Sequence, residues 1–297
     1  MRYKSLGKSG IKVSAVGLGF WQAGGRSWES PGGEWVIKVV EERIGKGINF
    51  LDTAEVYGWG RSEQALGEAL RYLGIRDSVF VASKVGGFRT SVYSVLKGVE
   101  GINRRLGRSV DLIQAHWPPP AWVSVCKVVW ALEEAVASGL CHYYGLSNYP
   151  RKLLLEALEC VKRFEPISNQ VHYNLAYRTP EIGLHPYMRR VGMALIAWSP
   201  LAKGALAGLK KAKDPAQKRD KVFRKAARDE DLQSVLSNIA GKHSATKAQI
   251  ALSWLISKGA IPIPGTRKPA RVKEYAKAAD IVLTNNDLQM LENATNK

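Results

Sequence analysis

The chain has 297 residues, 45% of them hydrophobic, enough to bury a full core in one α/β unit over residues 1–297. No apolar run approaches the ~20 residues that span a bilayer, and Met1 to Gly7 lacks a signal-sequence core, so a cytoplasmic protein is expected. The formal charge is +18, but basic residues are scattered apart from Lys210, Lys211 and Lys213 and then Lys218, Arg219 and Lys221; no nucleic-acid motif accompanies them, which argues against a polynucleotide partner.

In chain order, the pattern opens with a hairpin: extended residues 3–6, a Gly7-Lys8-Ser9-Gly10 turn, and extended residues 11–13. Eight short β-branched or apolar runs follow, at 15–18, 49–52, 79–84, 110–116, 143–147, 167–170, 194–198 and 260–263. Amphipathic stretches at 34–46, 62–73, 91–106, 123–138, 150–164, 181–191, 246–257 and 269–279 read as helices. One helix per strand, eight times over, is the count that closes a (β/α)8 barrel of TIM type, with the hairpin capping its N-terminal mouth. Residues 203–227 are long, basic and weakly periodic, the best candidate for a lid or a clasp over a ligand. Cys126, Cys141 and Cys160 are isolated and odd in number, and read as free thiols; neither they nor the five histidines have metal-ligand spacing, so no metal is expected.

A parallel barrel places its site at the C-terminal ends of the strands. Asp52, Lys84 and His116 end the second, third and fourth runs, and Tyr57 lies five residues after Asp52. Each has an ordinary alternative: Asp52 as a turn cap, Lys84 as a solvated charge, His116 as a core histidine, Tyr57 as packing. Together they make a proton-transfer set. A phenol with pKa about 10 is a poor acid at neutral pH. A neighbouring ammonium lowers that pKa by ~1–3 units. Lys84 supplies the cation and Asp52 holds it. Tyr57 donates a proton to a carbonyl oxygen as a hydride arrives, and His116 donates a hydrogen bond to the same oxygen.

Residues 47–63, Gly-Ile-Asn-Phe-Leu-Asp-Thr-Ala-Glu-Val-Tyr-Gly-Trp-Gly-Arg-Ser-Glu, closely resemble the signature of the aldo-keto reductases. The resemblance puts that family's catalytic aspartate and tyrosine on Asp52 and Tyr57, its lysine on Lys84 in Ala82-Ser83-Lys84-Val85, and its histidine on His116 in His116-Trp117-Pro118. It implies an oxidoreductase of aldehydes and ketones that uses NADPH/NADP+. The family's nicotinamide-binding module, as in channel-associated β subunits, is the alternative; the complete tetrad argues against it.

The same resemblance implies the cofactor contacts. Ser147 and Asn148, in Gly145-Leu146-Ser147-Asn148-Tyr149, and Gln170 would hold the carboxamide. Trp198 would stack on the nicotinamide ring, with Ser199, Pro200, Leu201 and Gly204 along the pyrophosphate. Gly19, Phe20, Trp21 and Asp52 are also expected among the cofactor contacts. Gly265, Thr266 and Arg267 lead into a helix N-terminus that favours an anion. Arg271 matches the arginine that holds the 2′-phosphate, and Glu274 the residue that contacts the adenine amino group; Tyr275 departs from the family's usual asparagine. Trp21, Tyr57, His116 and Trp117 are expected to meet the substrate, with Trp59 and Phe88 also near the rim. Aromatic walls suit flat or apolar carbonyl compounds.

Overall fold

In the computed structural model, which describes residues 1–25 and 33–295, strands β1 (Tyr3–Ser5) and β2 (Lys12–Ser14) form the expected antiparallel hairpin. Eight parallel strands follow in chain order around one sheet: β3 (Leu18–Gly19), β4 (Phe50–Asp52), β5 (Phe80–Val85), β6 (Val110–Ala115), β7 (Cys141–Ser147), β8 (Ser168–His172), β9 (Ala194–Trp198) and β10 (Ile261–Pro262). A parallel bridge between Gly19 and Gly265, with the Gly17 and Gly19 N–H groups donating to the carbonyls of Pro262 and Pro264, closes the sheet on itself. The fold is a (β/α)8 barrel. The closing strands are shorter than the runs at 15–18 and 260–263 suggested, because Pro262 and Pro264 lack the N–H groups that a longer ladder needs.

The barrel interior is filled by Phe50, Phe80, Ala82, Leu112, Ile167, Ile196, Ile261 and Ile263, and the hairpin residues Leu6 and Val13 complete the same cluster. Leu6 and Val13 are fully buried, so the hairpin is a plug at the N-terminal mouth and leaves the opposite mouth for function.

Outside the strands run α1 (Glu34–Ile44), α2 (Arg61–Tyr72), α3 (Val92–Leu106), α4 (Val125–Ala137), α5 (Arg151–Glu159), α6 (Leu184–Arg190), α7 (Pro215–Lys218), α8 (Lys221–Arg228), α9 (Glu230–Lys242), α10 (Lys247–Ser257), α11 (Pro269–Ala278) and α12 (Asn285–Thr295). Local chemistry sets their ends. Ser91 and Ser94 cap α3 reciprocally, as Thr246 and Gln249 cap α10, and α3 stops at left-handed Gly107, whose N–H returns to Asn103. Helices α7, α8, α9 and α12 are additions to the sequence reading. The basic segment after β9 is folded rather than open, and α9 buries Leu232, Leu236 and Ile239 at helical spacing. Helix α12 packs on α9.

The cysteine reading is corrected. Cys126, in the first turn of α4, and Cys160, at the end of α5, are joined by a disulfide; Cys141 alone is free, and it is buried. The partners are 34 residues apart, so no local spacing announces the bond; packing of neighbouring helices brings them together, beside a hydrogen bond from Trp130 Nε1 to the Cys160 carbonyl (2.8 Å). Among the described residues no helix is long and apolar enough to cross a membrane.

Candidate active site

At the C-terminal mouth, neighbouring strands β4 and β5 bring Asp52 and Lys84 into contact. Lys84 Nζ lies 2.6 Å from Asp52 Oδ1 and donates to the Thr53 carbonyl at 2.7 Å. Both side chains are almost completely buried. The other carboxylate oxygen, Oδ2, accepts from Gln170 Nε2 on β8 (2.8 Å) and lies 3.5 Å from Gln114 Nε2 on β6. Gln170 therefore grips Asp52 through its Nε2 while it also lines the cleft. The sequence reading missed Gln114, whose signal was a buried glutamine next to Leu112 and Ile113, two residues before His116.

Tyr57 sits above this pair, its ring centroid 5.0 Å from Lys84 Nζ. Its loop is held by backbone contact: a Cβ on Gly24 would lie 2.5 Å from the Tyr57 carbonyl carbon, and one on Gly58 would lie 2.1 Å from the Gly24 oxygen. Only glycine at both positions lets the loops meet, and Gly58 also has φ +65°. Glu55, bound to Arg89 and to the Gly86 N–H, ties the same loop to the end of β5. Burial pushes the Glu55 carboxyl up, but Arg89 and the Gly86 N–H outweigh it and hold it below its ordinary value.

The Tyr57 ring meets the His116 ring edge-on at 5.6 Å, and Trp117 packs on His116 at 4.5 Å. Burial first, and the Lys84 charge second, push His116 down to about 2, so the imidazole is neutral. Its Nδ1 is buried with no hydrogen-bond partner among the described residues. Burial also governs Tyr57. It raises the phenol above its ordinary 10, with Lys84 pulling the other way and losing. The expected net lowering is thus corrected: Lys84 limits the cost of burial without overcoming it. For Lys84 the order reverses, since burial lowers its pKa but Asp52 and Tyr57 together raise it above 10.5.

A cleft of about 720 Å³ runs from this tetrad across the mouth to α11. Of the residues anticipated for a cofactor, Gly19, Trp21, Asp52, Ser147, Asn148, Gln170, Trp198, Ser199, Pro200, Leu201, Gly204, Gly265, Thr266, Arg267 and Arg271 line it. Phe20 and Glu274 do not, nor does Trp117, anticipated for the substrate; Phe20 is core, and Glu274 bonds Arg271 Nη1 (2.5 Å) and Thr246 Oγ1 (2.6 Å). Lys84 lies beneath the floor. The lining also includes Lys213 of the basic segment, Lys268 beside Arg267, and Gln22 and Gln217, which sequence reasoning did not single out.

The cleft wall stores backbone strain. Asn148, Ser199, Ala202 and Lys203 all have positive φ (61°, 50°, 45° and 52°), a conformation that costs non-glycine residues about 1 kcal/mol or more each. Asn148 accepts from Trp198 Nε1 (2.9 Å) and donates to the His116 carbonyl (2.9 Å), joining the two ends of the tetrad side. The strap after β9 folds back over the opening. Lys203 Nζ bonds Asp220 (2.7 Å) and the Ala216 carbonyl (3.1 Å), and stands 5.2 Å from the Trp21 ring on the far wall. Ser199 Oγ and Gln22 Oε1 are buried without partners among the described residues. A ring-faced end, orphaned polar atoms between, and Arg267, Lys268 and Arg271 at the other end fit an elongated anionic ligand carrying an aromatic ring.

Comparison with known proteins agrees. The family model described as "Aldo/keto reductase family" matches residues 15–296. The chain is 31% identical to a "Probable voltage-gated potassium channel subunit beta" of Oryza sativa subsp. japonica, over 95% of this chain and 92% of the relative. It is 28% identical to the aldo-keto reductase YhdN of Bacillus subtilis, over 97% and 91%. An aldo-keto reductase of Klebsiella pneumoniae, solved in complex with NADPH, superposes with a TM-score of 0.80 at 28% identity, over 99% of this chain and 95% of that one.

Proposed function

Because this chain belongs to the aldo/keto reductase family, we propose that it is an NADPH-dependent carbonyl reductase that converts aldehydes or ketones to alcohols with Tyr57 as the general acid. The observation that carries this reading is the buried Asp52–Lys84 pair directly under the Tyr57 phenol, at the floor of the cleft.

Bound NADPH supplies the hydride. Trp198, Ser147 and Asn148 would hold its nicotinamide end, Ser199, Leu201 and Gly265 its middle, and Arg267, Lys268 and Arg271 its phosphates at the start of α11; all of them line the cleft. Asp52 keeps Lys84 charged, and Gln170 keeps Asp52 aimed at Lys84. The Tyr57 hydroxyl donates its proton to the carbonyl oxygen, and Lys84 stabilises the phenolate left behind. The neutral His116 ring donates an N–H to the same oxygen and orients it. The Lys203 strap closes the opening over the pyrophosphate. Around the mouth, Trp21 and Trp117 are each 37% exposed, Phe88 50% and Trp59 64%, a rim suited to flat or apolar carbonyl compounds.

The test is a panel of aldehydes and ketones with NADPH, followed at the reduced-nicotinamide absorbance band. Turnover of aromatic members is expected. Tight NADPH binding with no turnover of any member would instead favour a nicotinamide-binding regulatory subunit, the reading that the similarity to the Oryza sativa protein keeps open.

A further inference from the structure

Three aromatic rings lie in one stack behind the cleft wall. Tyr177 covers His172 at 4.4 Å with 13° between planes, and His172 covers Trp198 at 4.2 Å with 11°. Only Trp198, the last ring, lines the cleft. The stack is built by register and by a turn. His172 and Trp198 are opposite partners at the ends of β8 and β9. The backbones of Asn174 and Tyr177 bond each other in both directions (3.2 and 2.9 Å), turning the chain so that Tyr177 returns over His172.

The middle ring is fixed at its edge as well as on both faces. Asn174 Nδ2 lies 3.1 Å from His172 Nε2 and donates to the Ser199 carbonyl at 2.9 Å; its Oδ1 accepts from the Ala176 N–H. An amide N–H facing Nε2 makes that nitrogen the acceptor, which puts the imidazole proton on Nδ1. Burial, the largest influence, lowers the His172 pKa to about 4, with Asp220 pulling up and Lys203 pushing down, so the ring is uncharged at neutral pH. None of this serves the tetrad. It serves one surface, the outer face of Trp198, which the Asn148 bond to Nε1 fixes in its own plane.

We propose that His172 is a positioning residue for the cofactor: backed by Tyr177, it sets the plane of Trp198 and so the plane in which the nicotinamide ring lies. This rests on the NADPH reading above. Its physical content is that a flat backing ring removes the tilting freedom of the indole, and the nicotinamide then continues the stack as its fourth member. A stacked pair is worth up to about tenfold in affinity.

The test uses the whole protein with His172→Leu and His172→Phe. For His172→Leu we expect the Kd for NADPH to rise by about tenfold and kcat to fall with it. The Kd for adenosine 2′,5′-bisphosphate, which has the phosphate end but no nicotinamide, should stay within about twofold of wild type. His172→Phe, which restores a flat ring, should recover both NADPH binding and kcat. Wild-type NADPH binding in His172→Leu would overturn the proposal. So would equal loss of both ligands, or a Phe variant no better than Leu. Absence of NADPH binding by the wild-type protein would instead overturn the cofactor reading, and this inference with it.

Discussion

The two ends of the cleft are built on different principles. At the β4–β6 end the charged groups are sealed: Lys84 and Asp52 are almost wholly buried, bonded to each other, and braced by Gln170 and the Thr53 carbonyl. At the β10–α11 end the charges face water, with the Arg271 side chain 44% exposed and paired with its own helical neighbour Glu274. The difference follows from what each end would do. Charge moves between a phenol and a carbonyl oxygen during reduction, so the groups around that oxygen must be oriented before the reaction starts. The phosphates of a dinucleotide keep their charge throughout, so they need attraction and reach, which exposed Arg and Lys side chains supply without preorganisation.

The sharpest way to break this contrast is Tyr57→Phe. It should lower kcat by about 10²–10⁴-fold while NADPH affinity, measured by fluorescence titration, stays near wild type. Retained turnover would remove the phenol from the acid role. Next comes Lys84→Met, which strands Asp52 as a buried charge. Unfolding stability in denaturant should drop by about 3–5 kcal/mol, and the further change Asp52→Asn should restore much of it without restoring turnover. If the single variant is as stable as wild type, the sealed description of this end is wrong. Arg271→Ala acts at the other end and should leave stability alone. NADPH affinity should fall by about 10–100-fold, the worth of a charge-assisted hydrogen bond, and NADH affinity should hardly change. An unchanged ratio of the two would place the 2′-phosphate elsewhere.

The same contrast explains what could be read from the chain. The barrel was legible because it is written in local pattern: eight short apolar runs, each followed by an amphipathic stretch, and a hairpin whose Leu6 and Val13 had no other place to be buried. Asp52, Lys84 and His116 were legible because strand ends are fixed by the same pattern. The features that escaped depend on contacts between distant segments. Gln114 and Gln170 meet only because the strands curl until their side chains share the interior with Asp52. Cys126 and Cys160 are joined only because α4 and α5 are neighbours. The segment after β9 read as a loop because its basic residues hide a short apolar face, Phe223 and Ala226 on α8, too brief to show a period. The Tyr57 pKa escaped for the same reason: a neighbouring lysine is visible in sequence, whereas burial is a property of the assembled loops.

That last point gives the smallest expected effect, and a discriminating one. Were Lys84 the dominant influence, Tyr57 would titrate below its ordinary value and reduction would decline above neutrality. Burial dominates and holds the phenol above its ordinary value, with Lys84 pulling the other way. With Tyr57 as the proposed acid, reduction should be lost only as pH rises through its elevated pKa. At the acid side His116, pushed down to about 2, stays neutral and removes no activity. The kcat/KM for carbonyl reduction, which reports the free enzyme, should therefore be flat from about pH 6 to 9, the range bounded by the ordinary pKa values of His and Tyr. A step near 6.5 would mean that His116 is solvated and titrating. A fall between 7 and 9 would mean that the ammonium outweighs burial, and that the sealed end of the cleft is wetter than its hydrogen bonds imply.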